Sequence, residues 1–254
     1  MYEQVLGNWP THDKFILVSC DEKYLNKYFA RFYKTFTAHW SMPIHAHVID
    51  PSVKSLSRLK EIGVSHTWCD TEHYDWQNEV GKYRDTIKDL TNQDKQVKQW
   101  LYECYCQCQR FVLLGSKMSD GQSVVVADVD AYAQHEPNKR DIDYLFDKTC
   151  FSRHNNRLMA TLCHFHPRDM VNIKEMAKLV VDQLKETYVL GMDQLAIKKV
   201  FGNNLDINIL DQHWIRHEDV KSPRHLAEHQ SCLIYHEKGT RGKQKGIQIE
   251  WTDI

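Results

Sequence analysis

Apolar residues in this chain fall into two patterns: short, mostly apolar runs, and longer stripes that repeat every three or four residues. The runs are Phe15-Ile16-Leu17-Val18-Ser19-Cys20, Ile44 to Ile49, Val64 to Cys69, Ser123-Val124-Val125-Val126-Ala127 and Leu158 to Phe165. Runs of this length predict strands buried on both faces. Helical spacing joins Phe29, Phe32, Tyr33 and Phe36 over a helix from Tyr24 to Phe36. It also joins Val97, Trp100, Leu101, Cys104, Tyr105, Cys108, Phe111 and Val112 over Lys95 to Leu114. Shorter helices are predicted from Val53 to Ile62, closed by Gly63, and from Ile142 to Phe146. An amphipathic helix follows over Ile173 to Tyr188, with Met176, Leu179, Val180, Gln183, Leu184 and Tyr188 inward. Another helix opens at Gly191, and a last strand runs from Cys232 to Tyr235. This strand–helix alternation predicts an α/β fold, a mostly parallel central sheet flanked by helices.

Between these elements the chain is polar. Residues 70–94 predict a helix with exposed loops, and Ser116 to Gln122 a turn into the valine-rich strand. No repeat, low-complexity segment or interdomain linker interrupts the pattern. A length of 254 residues suits one domain with a substantial core.

Composition narrows the function classes. Lys plus Arg total 33 and Asp plus Glu 34, so a broad nucleic-acid or membrane-binding surface is excluded. No apolar run approaches a membrane span, and the N-terminus lacks the basic-then-apolar order of a signal peptide. The expectation is a cytoplasmic protein whose eight cysteines are thiols. Cys104, Cys106 and Cys108, spaced by two within a helix, point in different directions and do not converge on zinc. His45/His47 and His164/His166 alternate within strands and are expected to be packed or surface residues rather than ligands.

Candidate chemistry begins where the valine-rich strand ends, at Asp128-Val129-Asp130. In an extended chain that spacing puts both carboxylates on one side and Val129 on the other. Ligands of open α/β sheets gather beyond the carboxyl ends of the strands. Two acids there repel unless a cation sits between them, and hard oxygen ligands suit Mg²⁺ or Mn²⁺ bound to a diphosphate. Asp141-Ile142-Asp143 has the same spacing but follows a polar segment, so the spacing alone is not diagnostic. Arg110 lies off the apolar stripe of its helix, where a solvated arginine is the ordinary reading. Asp193, at the start of its helix, reads as an N-cap. Near the end, His236-Glu237-Lys238-Gly239-Thr240-Arg241-Gly242-Lys243 reads as a polycationic loop suited to phosphates or a solvated tail.

Four of these segments together resemble the GT-A nucleotide-sugar glycosyltransferases, most closely the retaining family 8 pattern of galactosyl- and glucosyltransferases. Val18-Ser19-Cys20-Asp21-Glu22-Lys23-Tyr24 resembles the uracil site, Tyr105 to Phe111 the helix whose arginine reaches the donor, and Ala127 to Asp130 the metal-binding motif. His236-x-x-Gly239 with Lys243 resembles the closing loop, and Met192-Asp193-Gln194 the sugar and acceptor pocket. The resemblance implies one GT-A domain over 1–254, with a nucleotide-binding half over about 15–135 and an acceptor half with the closing loop over about 136–254. It implies Asp128, Asp130 and His236 as ligands of Mn²⁺ or Mg²⁺. Ser19, Asp21, Tyr24, Arg110, Asp128, Gly239 and Lys243 would hold a UDP-sugar, and Asp193, Gln194 and Arg110 would act at the sugar. The expected partners are a UDP-sugar donor and a glycan or other hydroxyl acceptor. Retention would need no dedicated base, whereas inversion would make Asp193 the first candidate base. A nucleotide-sugar-binding protein without transfer and a metal-dependent phosphohydrolase, with Asp21 and Asp50 at strand ends, are the alternatives.

Overall fold

A computed structural model describes residues 4–72, 93–154, 157–186, 191–203, 206–216, 232–236 and 249–254. The described strands are β1 (Leu6–Gly7), β2 (Lys14–Asp21), β3 (Ile44–Ile49), β4 (Ser65–Cys69), β5 (Ser123–Ala127), β6 (Ala131–Ala133), β7 (Cys150–His154), β8 (Arg157–Phe165), β9 (Asn208–Leu210), β10 (Ile215–Arg216) and β11 (Ile234–His236). The described helices are α1 (Glu22–His39), α2 (Val53–Glu61), α3 (Gln93–Lys117), α4 (Lys139–Asp147), α5 (Met170–Glu186) and α6 (Met192–Phe201). Eight strands form one sheet in the order β1-β4-β3-β2-β5-β8-β7-β9, and β10-β11-β6 form a small second sheet.

The apolar runs explain the central sheet. Alternate residues of β2 and β5 go to opposite faces, and both faces are covered. Phe15, Leu17, Val124 and Val126 face one core, built with α3, α5 and α6. Ile16, Val18, Val125 and Ala127 face the other, built with α1, Leu59 of α2 and residues of the second sheet. β3, β2 and β5 pair in parallel, as the runs predict. β8 departs from that pattern, because it runs antiparallel to both β5 and β7. The sheet is mostly parallel and carries an antiparallel insertion beside its central strand.

Local chemistry sets the helix ends. Ser52 caps α2, and Gly63 takes a φ of 71° just beyond it. α3 and α5 approach so closely at Gly115 that a Cβ there would lie 2.3 Å from the Ala177 side chain. Asp141-Ile142-Asp143 falls inside α4, where Asp141 completes a capping box with Asn138. On a helix that spacing separates the two carboxylates, so this pair is no counterpart of Asp128 and Asp130.

Of the alternating histidines, His45, His47 and His164 are buried. Ser65 Oγ, His45, Thr67 Oγ1, His47 and Cys69 form one hydrogen-bonded seam between β3 and β4, with successive contacts of 2.8, 3.0, 3.0 and 3.6 Å. Burial drives the pKa of His45 down to about 3 and that of His47 to about 4, so both rings are neutral. Among the described residues no helix is long and apolar enough to cross a membrane. Tyr188 and most of 70–94 lie outside the described residues.

Candidate functional site

β5 ends its ladder with β8 when the Asp128 N–H donates to the Thr161 carbonyl at 2.9 Å. The chain then turns, and the Ala131 N–H returns to the Asp128 carbonyl at 3.0 Å. Asp128-Val129-Asp130 is therefore a turn rather than the extended strand end that its spacing suggests. Its two carboxylates still reach a common side, with Val129 buried beneath them. Arg31 of α1 fixes the turn, donating to the Asp130 carbonyl at 3.2 Å while its guanidinium lies 4.7 Å from the centre of the Tyr132 ring.

The second sheet supplies the third member. β11 pairs antiparallel with β6 and sets His236 opposite Ala131. His236 Nε2 lies 3.1 Å from Asp130 Oδ1 and 3.4 Å from Asp128 Oδ2. One ligand-capable atom from each of Asp128, Asp130 and His236 falls within 4.8 Å of the others, the one such cluster among the described residues. Two carboxylates and an imidazole fit a divalent cation of the Mn²⁺ or Mg²⁺ type. Burial works to lower the His236 pKa, but Asp130 and Asp128 override it and lift it to about 10. Without a metal, a proton on the ring takes the place of a cation between two anions.

Arg110 is not solvated. It is buried within α3, ion-paired through Nη1 to Asp128 Oδ1 and through Nη2 to Asp193 Oδ2, the latter at 3.0 Å. Burial pushes the Asp128 carboxyl up, yet Arg110 and then His236 hold it well below the usual carboxylate range. Asp193 keeps a raised pKa, since burial outweighs Arg110 there. The N-cap reading of Asp193 is corrected: Gly191 caps α6 at a φ of 80°, and Asp193 is the second helical residue. Its Oδ1 accepts the Gln194 N–H at 2.8 Å, at the helix end that favours an anion. Three carboxylates against one guanidinium leave two uncompensated negative charges when His236 is neutral, matching the charge of one divalent cation.

These groups line one cleft of about 280 Å³ at the carboxyl ends of β2 and β5. The same cleft takes in Ser19, Asp21, Tyr24 and Gln194, so nine of the eleven residues singled out in the sequence converge. The other two, Gly239 and Lys243, lie outside the described residues, as does Arg241. Ser19 Oγ is buried without a hydrogen-bond partner among the described residues. Asp21 caps α1, its Oδ1 accepting the Tyr24 N–H at 2.7 Å, while its carboxyl is raised by burial. Tyr24 is 41% exposed, with its ring 5.3 Å from that of Tyr28.

Sequence reasoning missed Glu103, Cys106, Gln107 and Thr161, which also line the cleft. The signal was present in α3: Glu103, Cys106, Gln107 and Arg110 recur at i, i+3, i+4 and i+7, a second stripe opposite the apolar one. Thr161 had no such signal, since its place in the wall comes from the antiparallel pairing of β8 with β5. The cysteines diverge as expected; Cys104 and Cys108 face the core and Cys106 the cleft, and all eight are free thiols.

No protein-family model matches the chain, and no curated protein sequence does. Among solved structures, the apo structure of the bifunctional glycosyltransferase WbbM is similar, with a TM-score of 0.56 at 12% identity. The likeness covers 92% of this chain and 47% of that one, so this chain spans about half its length. The two proteins share a fold.

Proposed function

We propose that this protein is a metal-dependent glycosyltransferase of the GT-A type that moves a sugar from a UDP-sugar to an acceptor hydroxyl, with retention. The observation that carries the reading is the convergence of Asp128, Asp130, His236, Arg110 and Asp193 on one cleft at the strand ends. The fold shared with a glycosyltransferase supports the same reading. A cytoplasmic setting accompanies it.

Asp128, Asp130 and His236 would hold Mn²⁺ or Mg²⁺. When bound, the ion supplies Lewis-acid stabilisation of charge developing on the leaving diphosphate. Asp21 and Tyr24 would take the base, Asp21 by accepting from its N–H and Tyr24 by stacking. Arg110 pairs with Asp193 and holds its carboxylate beside the sugar, where a fixed anion would steady an oxocarbenium-like carbon. Both Asp193 oxygens are already engaged, by Arg110 and by the Gln194 N–H, which leaves neither directed at an acceptor hydroxyl and favours retention. Gln194 would orient a hydroxyl from the same wall, and the loop holding Gly239 and Lys243 would close over the diphosphate.

The phosphohydrolase reading loses support from two strand-end acids. Asp21 is engaged as a helix cap and Asp50 by Thr71, so neither joins a two-metal cluster.

The test is thermal stabilisation of the purified chain by UDP with Mn²⁺, with Mg²⁺ and with EDTA. Stabilisation is expected with metal only and is lost in Asp130→Ala, whose turnover of UDP-sugar falls about 10³-fold or more with the fold intact. Unchanged turnover in Asp130→Ala sinks the metal role. Binding of UDP without transfer to any acceptor leaves a nucleotide-sugar-binding protein instead.

A further inference from the structure

Arg31 of α1 is only 5% exposed, an uncommon place for a charged side chain. Its guanidinium carbon lies 4.7 Å from the centre of the Tyr132 ring and 5.9 Å from that of Tyr28. A flat, delocalised cation suits contact with ring faces better than an ammonium does. From there Nη2 donates to the Asp130 carbonyl at 3.2 Å, in the turn that carries both cleft aspartates. Burying a guanidinium is costly, and one backbone carbonyl offsets little of that cost. An apolar side chain would serve better if packing were the only task.

One helical turn further along α1, Thr35 holds the other end of the same segment. Its hydroxyl donates to the Arg31 carbonyl at 2.9 Å and accepts the Ala133 N–H at 3.2 Å. α1 therefore grips the chain twice, at Asp130 and at Ala133. The grips bracket β6, and β6 fixes His236, which pairs with Ala131. The Tyr132 ring carries the contact on to β11, its centre 5.2 Å from that of Tyr235. The helix itself is a firm base, since Phe29, Phe32 and Phe36 are wholly buried in the core. Two of the three candidate ligands, Asp130 and His236, thus take their places from one face of α1.

We propose that Arg31 is a positioning residue for the cation site: together with Thr35 it fixes the segment from Asp130 to Ala133 against α1, and so sets the Asp130 carboxylate against His236. The proposal rests on the reading of Asp128, Asp130 and His236 as that site. Groups that orient metal ligands from behind change metal affinity without touching the ion.

The test uses the full chain and three variants, Arg31→Met, Arg31→Lys and Thr35→Val. One readout is Mn²⁺ affinity by calorimetry, with the electron paramagnetic resonance spectrum of the bound ion. The other is amide hydrogen exchange of β5, β6 and β11 without metal. Arg31→Met keeps an apolar stem and loses the guanidinium. It is expected to weaken Mn²⁺ about tenfold and to speed exchange in β6 and β11 while β5 stays protected. Arg31→Lys, which keeps a donor for the carbonyl, is expected to recover part of the affinity. Thr35→Val loses only the grip on Ala133, so it is expected to speed exchange in β6 and weaken Mn²⁺ by a smaller factor. It carries the test alone if Arg31→Met does not fold. Wild-type Mn²⁺ affinity in a folded Arg31→Met, or in Thr35→Val where that variant stands alone, overturns the proposal. Faster exchange in β5 to the same extent as in β6 reads as general loss of stability and overturns it too. A wild-type chain that binds no Mn²⁺ ends the cation reading instead, and the exchange of β6 and β11 then decides by itself whether Arg31 fixes the segment.

Discussion

Two polar clusters sit on the strands of this protein, and both contain histidine. Along β3 and β4, Ser65, His45, Thr67, His47 and Cys69 form a seam in which each group is bonded to the next and both rings are neutral. At the end of β5, Asp128, Asp130, Asp193, Arg110 and His236 are bonded as thoroughly, yet the group carries surplus negative charge. The seam asks nothing of a ligand. The β5 cluster does, and the difference lies in charge balance rather than in residue type or hydrogen-bond count. Alternating histidines therefore mark packing here, and one histidine paired with two aspartates marks the site.

The comparison is broken hardest at Arg110. In Arg110→Ala the Asp193 carboxylate is left buried without its partner, and unfolding stability is expected to fall by about 3–5 kcal/mol. Chemical denaturation measures this, and a loss below about 1 kcal/mol would mean that water replaces the guanidinium. Arg110→Lys, which keeps the charge but not the two-pronged contact, is expected to recover only part.

Acid attacks the other cluster. His45, His47 and, on β8, His164 have folded pKa values lowered by burial to about 3, 4 and 3. Each binds its proton more readily when unfolded, near pH 6.5, so its contribution is complete above that pH and is lost as pH falls towards 4. The three together give a slope of up to about 4 kcal/mol per pH unit in that window. Denaturation midpoints at pH 7, 6 and 5 test the sign. Constant stability over that range would mean that the fold holds none of the three rings neutral.

The smallest effect sharpens the contrast between the two Asp-x-Asp sequences. Asp141→Ala removes half of the α4 capping box and is expected to cost about 1 kcal/mol. Turnover is expected to stay at the wild-type level, against near-complete loss in Asp130→Ala.

How much of this was legible in the sequence follows from range. β2, β5 and α3 announce themselves because each carries its own apolar pattern, and the Asp128-Val129-Asp130 motif stands out because it ends such a run. Arg110 did not announce its burial, since its partners lie 18 and 83 residues away and only the assembled fold brings them in. β11 overlaps the strand predicted over Cys232 to Tyr235, but β6 is three residues, too short to carry a period, and only the pairing of the two sets His236 against Asp130. β7 was missed for a related reason: its first residues are buried, but Arg153 and His154 at its end interrupt the run. The turn at Asp128 deceived in its geometry while giving the right outcome.

The second sheet has a consequence for biosynthesis. His236 is 106 residues further along the chain than Asp130. A ribosome therefore delivers both aspartates, and the β-strand that presents them, long before it delivers the imidazole. During that interval the cluster lacks its imidazole, so a chain interrupted before β11 carries only part of the site. Competence for the proposed chemistry arrives only with the strand that docks on β6.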